Sequence, residues 1–169
     1  VGKTHLSHAV GLEVKSQFPD KIVVYLSSEK FIQQFVSAAR AKNQTEFTNF
    51  YQMVDVLIID DIQFLSGKAA TQDSFFHIFD YLHQNGKQII LTSDRAPVHV
   101  MDIQERIVSR FKWGLTAEIK APDFDTRKKI ILDKLSRDGI VLSDDMLDYL
   151  ATEVNSSVRD LIGVINYII

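Results

Sequence analysis

The sequence predicts an α/β fold, a parallel sheet flanked by helices, followed by a small helical domain. Three observations predict it. Short β-branched apolar runs alternate with longer stretches of helical spacing. The runs at 56–59 and 89–92 are almost continuously apolar, which suits strands buried on both faces. Beyond Pro122 helix starts follow one another with no strand between them. The predicted domains are therefore 1–122, the α/β part, and 123–169, a helical part.

In chain order, the first helix is expected over 3–18, with Leu6, Ala9, Val10, Val14 and Phe18 along one stripe and Pro19 and Asp20 ending it. Strands are expected at 22–26, 56–59, 89–92 and 115–119. Between the first two lies a long helical stretch opened by Ser28 as N-cap, with Phe31, Ile32, Phe35, Val36 and Ala39 at helical spacing. A short helix carrying Phe47, Phe50 and Tyr51 follows it. The aromatic run Phe75, Phe76, Phe79 and Tyr81 reads as an amphipathic helix rather than a base-stacking platform. The helical part is expected to open its helices at Asp125, at Ser143 and at Ser156 or Ser157.

Composition bounds the function. The 169 residues are 46% hydrophobic and 24% charged, with 7 Gly and 3 Pro, which excludes disorder and collagen-like sequence. No apolar run approaches the roughly 18 residues that a membrane span needs. With no Cys there is neither a disulfide framework nor a thiolate metal site, and a cytoplasmic location is expected. The net charge of −3 is not that of a globally basic nucleic-acid binder. It hides a segregation, however. Arg127, Lys128, Lys129, Lys134 and Arg137 form a basic stretch, and Asp144, Asp145, Asp148, Glu153 and Asp160 an acidic one.

Two motifs carry chemistry. Val1-Gly2-Lys3-Thr4 is the tail of the phosphate-binding loop G-x-x-x-x-G-K-[ST], opening directly onto a helix. In that motif helix and loop amides hold the phosphates, the lysine reaches the β- and γ-phosphates, and the hydroxyl binds Mg²⁺. An ordinary first helical turn is the alternative reading of three such residues. The second motif is Val56-Leu57-Ile58-Ile59-Asp60-Asp61, an apolar strand ending in two carboxylates. Asp60 there would hold Mg²⁺ and Asp61 would orient or deprotonate the attacking water. One strand later, Ser93-Asp94-Arg95 places polar groups at a carboxyl edge, where ligands of open α/β sheets bind; Asp94 would sense the γ-phosphate, position the water or cap a helix.

These residues, with Gly2-Lys3-Thr4-His5-Leu6, Ser28-Glu29-Lys30-Phe31, Leu57 through Phe64, Ile90 through Arg95, Arg106 through Leu115 and Val158-Arg159-Asp160-Leu161, resemble the initiator clade of the AAA+ ATPases, and within it the DnaA family of bacterial replication initiators. The resemblance covers nearly the whole chain. It implies an AAA+ sheet whose first strand is missing from this chain, followed by a helical lid. It also implies an ATPase that binds ATP or ADP with Mg²⁺, forms an ATP-dependent homo-oligomeric filament on the chromosomal origin and unwinds DNA.

By the same resemblance, Gly2, Lys3, Thr4, His5 and Asp60 contact nucleotide and its Mg²⁺, and Asp61 and Asp94 serve hydrolysis. Arg110 is the finger that reaches a neighbouring protomer's ATP, and Arg106 one turn earlier supports that interface. Arg159 is the lid arginine that contacts its own protomer's nucleotide. Many AAA+ enzymes carry Glu where Asp61 stands. The carboxylate one methylene shorter is expected to place the water less well and so to slow hydrolysis.

The stretch 28–51 resembles the initiator-specific insertion that opens the oligomer into a helix. Within it Val36, and beyond it Lys68, match positions touching single-stranded origin DNA in the filament channel; Ala70 stands where some members carry arginine. A duplex-reading helix-turn-helix domain, absent from these residues, is expected for the origin boxes, and a replicative helicase or regulators are further partners. The competing readings are a helicase loader or regulatory AAA+ relative, and an assembly module that binds ATP without hydrolysing it. His5 with His8, and His77 with His83, lack a third ligand at the spacing a structural zinc requires.

Overall fold

The computed structural model describes residues 2–96 and 99–168, the side chain of Ile168 excepted. Val1, which begins the phosphate-loop tail, lies outside them. The chain divides into two compact units, one formed by 3–117 and the other by 1–2 with 118–169. Among the described residues no helix is long and apolar enough to cross a membrane.

The larger unit holds a three-stranded parallel sheet in the order β1-β2-β3, made of Val23–Ser27, Val56–Asp60 and Gln88–Leu91. Helix α1 (Lys3–Gln17) precedes the sheet. Helices α2 (Ser28–Arg40) and α3 (Gln44–Gln52) connect β1 to β2, and α4 (Ala69–Gln84) connects β2 to β3 after a 3-10 turn at Ile62–Leu65. Helix α5 (Glu105–Phe111) follows β3. The register pairs Ser27 with Asp60 and Ile59 with Leu91, so β1 and β2 end level and β3 ends one residue earlier.

Central β2 is buried at every position, as its unbroken apolar run requires. In the run at 89–92, expected to be buried on both faces, residues 89–91 are only half-buried and Thr92 alone is buried, because β3 is an edge strand paired on one side among the described residues. The strand expected at 115–119 does not form: those residues are irregular and Leu115 is 96% exposed. A strand needs a partner for its backbone groups, and among the described residues this segment has none.

Helix α1 also differs from expectation. Its buried residues are Ser7 and Gly11, while Leu6 and Phe18 of the anticipated stripe are 54% and 55% exposed. The cause is close approach to the sheet. A Cβ on Gly11 would come within 3.0 Å of Ile58 Cδ1, so the contact line runs through the two small residues and carries the larger ones off to the side.

Helix α2 is capped by Ser27, whose hydroxyl accepts from Lys30 N, rather than by Ser28. Ser28 is the first helical residue, and it donates to the Asp61 carbonyl at 2.6 Å. Phe31 is fully buried edge-on to Phe47, Tyr51 and Phe75 at 5.3, 5.1 and 6.0 Å, which locks α2 to α3 and α4. Each such aromatic contributes about 1.5–3 kcal/mol by burial alone. Tyr51 donates its hydroxyl to Gln34, and burial raises its pKa well above the usual phenol value. Phe75 and Phe79 enter the same core and Tyr81 is exposed, so the aromatic run is one amphipathic helix, as its spacing predicts.

In the smaller unit α6 (Phe124–Arg137), α7 (Asp144–Glu153) and α8 (Val158–Ile168) enclose a core of Ile131, Leu135, Leu147, Leu150, Ala151, Leu161 and Ile165. Ser143 caps α7 as expected, but α6 is capped by Asp123 rather than opened by Asp125. Ser157 accepts from Asp160 N at 3.1 Å at the start of α8. Part of the charge segregation is internal pairing: Lys128 from the basic stretch meets Asp148 of the acidic one at 2.6 Å.

Candidate nucleotide site

The carboxyl ends of the strands gather the hydroxyls and carboxylates. Gly2 takes a left-handed backbone, φ +77°, which glycine adopts without steric cost, and Lys3 begins α1 directly after it. The first turn of α1 brings Thr4 to the last residue of β2, and its Oγ1 donates to Asp60 Oδ2 at 2.7 Å. Asp60 is only 5% exposed. The same Oδ2 accepts from the Tyr25 hydroxyl at 3.2 Å, and Thr92 donates to Oδ1. Three hydroxyls from α1, β1 and the end of β3 thus converge on one carboxylate, which satisfies its burial. Partial burial and the charge of Asp60 raise the Tyr25 pKa, so that hydroxyl stays protonated and remains a donor.

Asp61 leaves the strand in a left-handed conformation, φ 57° and ψ 54°, which aspartate tolerates better than most residues but which costs of order 1 kcal/mol or more. Its neighbours hold it there. Asp61 N donates to Thr92 Oγ1 at 2.9 Å, its carbonyl accepts from Ser28, and Gln63 Nε2 donates to Asp61 Oδ1 at 3.1 Å. Gln63 Oε1 accepts in turn from the Asp94 backbone N at 3.4 Å, so one side-chain amide links the Asp61 carboxylate to the backbone of Asp94. Asp94 and Arg95 are exposed beyond β3.

Lys3 is half-buried, and His5 is exposed on the first turn of α1. His8 does not approach a metal-type cluster but packs edge-on to Tyr25 at 5.3 Å. Val36 and Lys68 are both exposed, one on α2 and the other at the N-cap of α4. Arg159 is exposed on the first turn of α8 in the smaller unit.

Arg110 stands apart. Its Nε and Nη2 donate to Asp80 Oδ1 and Oδ2 at 2.8 and 3.2 Å, and this pairing raises its pKa further. No hydrogen bond among the described residues ties Arg110 to Thr4, Asp60 or Asp61. Arg106 one turn earlier donates to Asp73 and lies 4.5 Å from the Phe76 ring centroid.

Sequence reasoning missed Tyr25, Thr92, Gln63, Ser28 and Asp80. A signal existed for Thr92, the first polar residue after an apolar strand aligned with the Asp60 strand. For Asp80 there was none, since an aspartate seven residues after another on a helix is ordinary surface sequence.

A family model described as the bacterial DnaA ATPase domain matches residues 1–118. The chromosomal replication initiator protein DnaA of Flavobacterium psychrophilum is 56% identical over 165 residues, covering 98% of this chain and 34% of that protein. Its Bacteroides fragilis counterpart is 51% identical, over 98% and 35% respectively. A solved structure of replication initiator DnaA bound to AMPPCP and single-stranded DNA superposes with a TM-score of 0.90 at 43% identity, over 99% of this chain and 51% of that one. Domain III of the Thermotoga maritima replication initiation protein DnaA gives a TM-score of 0.93 at 41% identity, over 97% and 69%. The chain spans about a third of the length of the curated relatives it matches. With its motifs in order, its fold superposed and most of its length matched, the chain belongs to the bacterial DnaA ATPase-domain family.

Proposed function

We propose that this chain is the ATP-binding and slowly hydrolysing part of a replication initiator that assembles, when loaded with ATP, into a homo-oligomer on origin DNA in the cytoplasm. The observation that carries the reading is the Thr4–Asp60 hydrogen bond. It brings the hydroxyl of the phosphate-loop tail and the carboxylate of the metal-binding strand to one point, although 56 residues separate them in sequence.

Hard oxygen donors on a buried carboxylate and a hydroxyl suit Mg²⁺ better than softer metals, so the residues fit that ion. Mg²⁺ would supply charge neutralisation between the β- and γ-phosphates. The remaining work falls to side chains. Lys3 offsets phosphate charge, with Gly2 and His5 flanking it at the start of α1. Asp61, fixed by Gln63 and Thr92, orients the attacking water and accepts its proton. Asp94 senses the γ-phosphate. Arg110 acts in the site of the adjacent protomer, a role supported by its distance in bonding from its own Asp60 cluster, and Arg159 contacts nucleotide from the lid.

The exposed Val36 and Lys68 contact single-stranded DNA, a reading supported by the solved relative that carries it. The domains proposed are 1–122 for nucleotide and 123–169 for the lid.

The test is ATP affinity, turnover and ATP-dependent sedimentation of the full-length protein that carries this chain, alongside Lys3→Ala and Asp61→Asn. The expected result is loss of affinity in the first and loss of hydrolysis with retained assembly in the second. Turnover is expected well below the ~10 per second median of enzymes. Many ATP per second, or assembly indifferent to Lys3, would refute the reading.

A further inference from the structure

The stripe Asp73, Phe76 and Asp80 on α4 faces Arg106 and Arg110 on α5. Arg110 is the more completely held of the two arginines. Asp80 takes its Nε and Nη2 edge side-on, and the guanidinium carbon lies 4.9 Å from the Phe76 ring centroid and 4.2 Å from that of Trp113. Both partners of the ion pair are about four-fifths buried, with side chains 23% and 22% exposed. One edge is taken by Asp80 and the faces meet aromatic rings, while Nη1 donates to nothing among the described residues. A flexible arginine reaching for a phosphate gives up rotamer freedom at the moment of contact; an arginine already clamped on one edge does not. A guanidinium can keep one carboxylate side-on while presenting its free end to a second oxyanion.

We infer that Asp80 is a positioning residue: it pre-orients Arg110, with Phe76 and Trp113 as side walls, so that the Nη1 end meets the γ-phosphate bound by the neighbouring protomer. The inference rests on the proposed role of Arg110 in trans. The carboxylate also lowers the net charge that Arg110 presents, so the arrangement trades long-range attraction for a fixed direction.

The experiment compares full-length wild type, Asp80→Asn, Arg110→Ala, the double variant, and Asp80→Glu. It reads the protein concentration at half-assembly with ATP, steady-state turnover, and ATP affinity of the dilute protomer. Asp80→Asn is expected to raise the half-assembly concentration about tenfold, within the range that ordering one long side chain represents. It should lower turnover in parallel and leave protomer affinity for ATP unchanged. It should add nothing in the Arg110→Ala background, which a general loss of stability would do. Asp80→Glu, which returns the charge, should recover most of the assembly and so separates positioning from folding. If Arg110→Ala is defective while Asp80→Asn assembles as well as wild type or better, Asp80 does not position the finger and the inference is overturned. If Arg110→Ala itself behaves as wild type, the trans role of Arg110 falls, and the inference with it.

Discussion

Thr4 donates its hydroxyl to Asp60 at 2.7 Å, tying the first turn of α1 to the end of the central strand. Removing the hydroxyl with Thr4→Ala takes away one oxygen proposed to face Mg²⁺ and one donor that orients the Asp60 carboxylate. The expected effect is a loss of about 10- to 100-fold in Mg²⁺-dependent ATP affinity, the range seen when a ligand's supporting contact is removed. Titrating nucleotide with and without Mg²⁺ checks this: the loss should be confined to the arm containing the metal.

Thr92 holds two carboxylate positions at once, donating to Asp60 and accepting from the Asp61 amide. Thr92→Val keeps the shape and deletes both bonds beneath a buried carboxylate. A stability loss of about 1–3 kcal/mol in urea unfolding is expected, the cost of leaving a buried polar group without its partner. Turnover should fall further than ATP affinity, because Asp61 loses the contact that fixes its left-handed backbone. Equal losses of both would show that Thr92 has no specific role in placing Asp61.

At the opposite edge of the sheet Asp55 links the amino ends of all three strands. It accepts from Lys87 at 2.7 Å, from Ile22 N at 2.9 Å and, more weakly, from Lys21 at 3.5 Å. The Lys87 hydrogen bond above all, with the Ile22 amide, holds its pKa down at about 2, against an ordinary value of 3.8. A carboxylate with a depressed folded-state pKa contributes stability above its ordinary value and loses it as pH falls through the folded one. The stability gap between wild type and Asp55→Asn is therefore expected to be full above pH 3.8 and to close as pH falls towards 2. Thermal melts across that range measure it. A gap that persists to the acid end contradicts the assignment.

Gly11 sets the distance between α1 and the sheet. Gly11→Ala gains helix propensity but pushes a methyl against Ile58, whose side chain is fully buried and has little room to yield. The overpacking should win, with a net loss of about 1 kcal/mol. Because Thr4 rides on the same helix, ATP affinity should weaken as well. A stabilised variant with unchanged affinity would show that α1 shifts freely.

Much of this site was legible in the sequence, and the parts that were not share a cause. Lys3, Thr4, Asp60 and Asp61 were readable because a short motif fixes them to a helix start and a strand end. Tyr25 was not, because its value lies in strand register, which pairs Ser27 with Asp60 only once the sheet forms, and Thr92 offered no more than its place as the first polar residue after an apolar strand. The α1 stripe misled for a packing reason: hydrophobic spacing cannot show that a glycine lets the helix sit closer on its small side. Residues 115–119 misled because a short run with strand-forming residues such as Thr116 and Ile119 makes a strand only where a neighbouring strand offers its backbone. Asp80 was invisible because its meaning depends on an arginine thirty residues later.

The central claim, an ATP site completed by a neighbour's Arg110, is tested most directly by mixing two inactive full-length proteins. Asp61→Asn keeps its arginine but loses the carboxylate proposed to activate water; Arg110→Ala keeps its site but loses the proposed finger. In a head-to-tail assembly each Arg110→Ala site followed by an Asp61→Asn neighbour regains a complete constellation. ATP turnover of the mixture should rise clearly above that of either protein alone at the same total concentration. A mixture as inactive as its components would contradict the account.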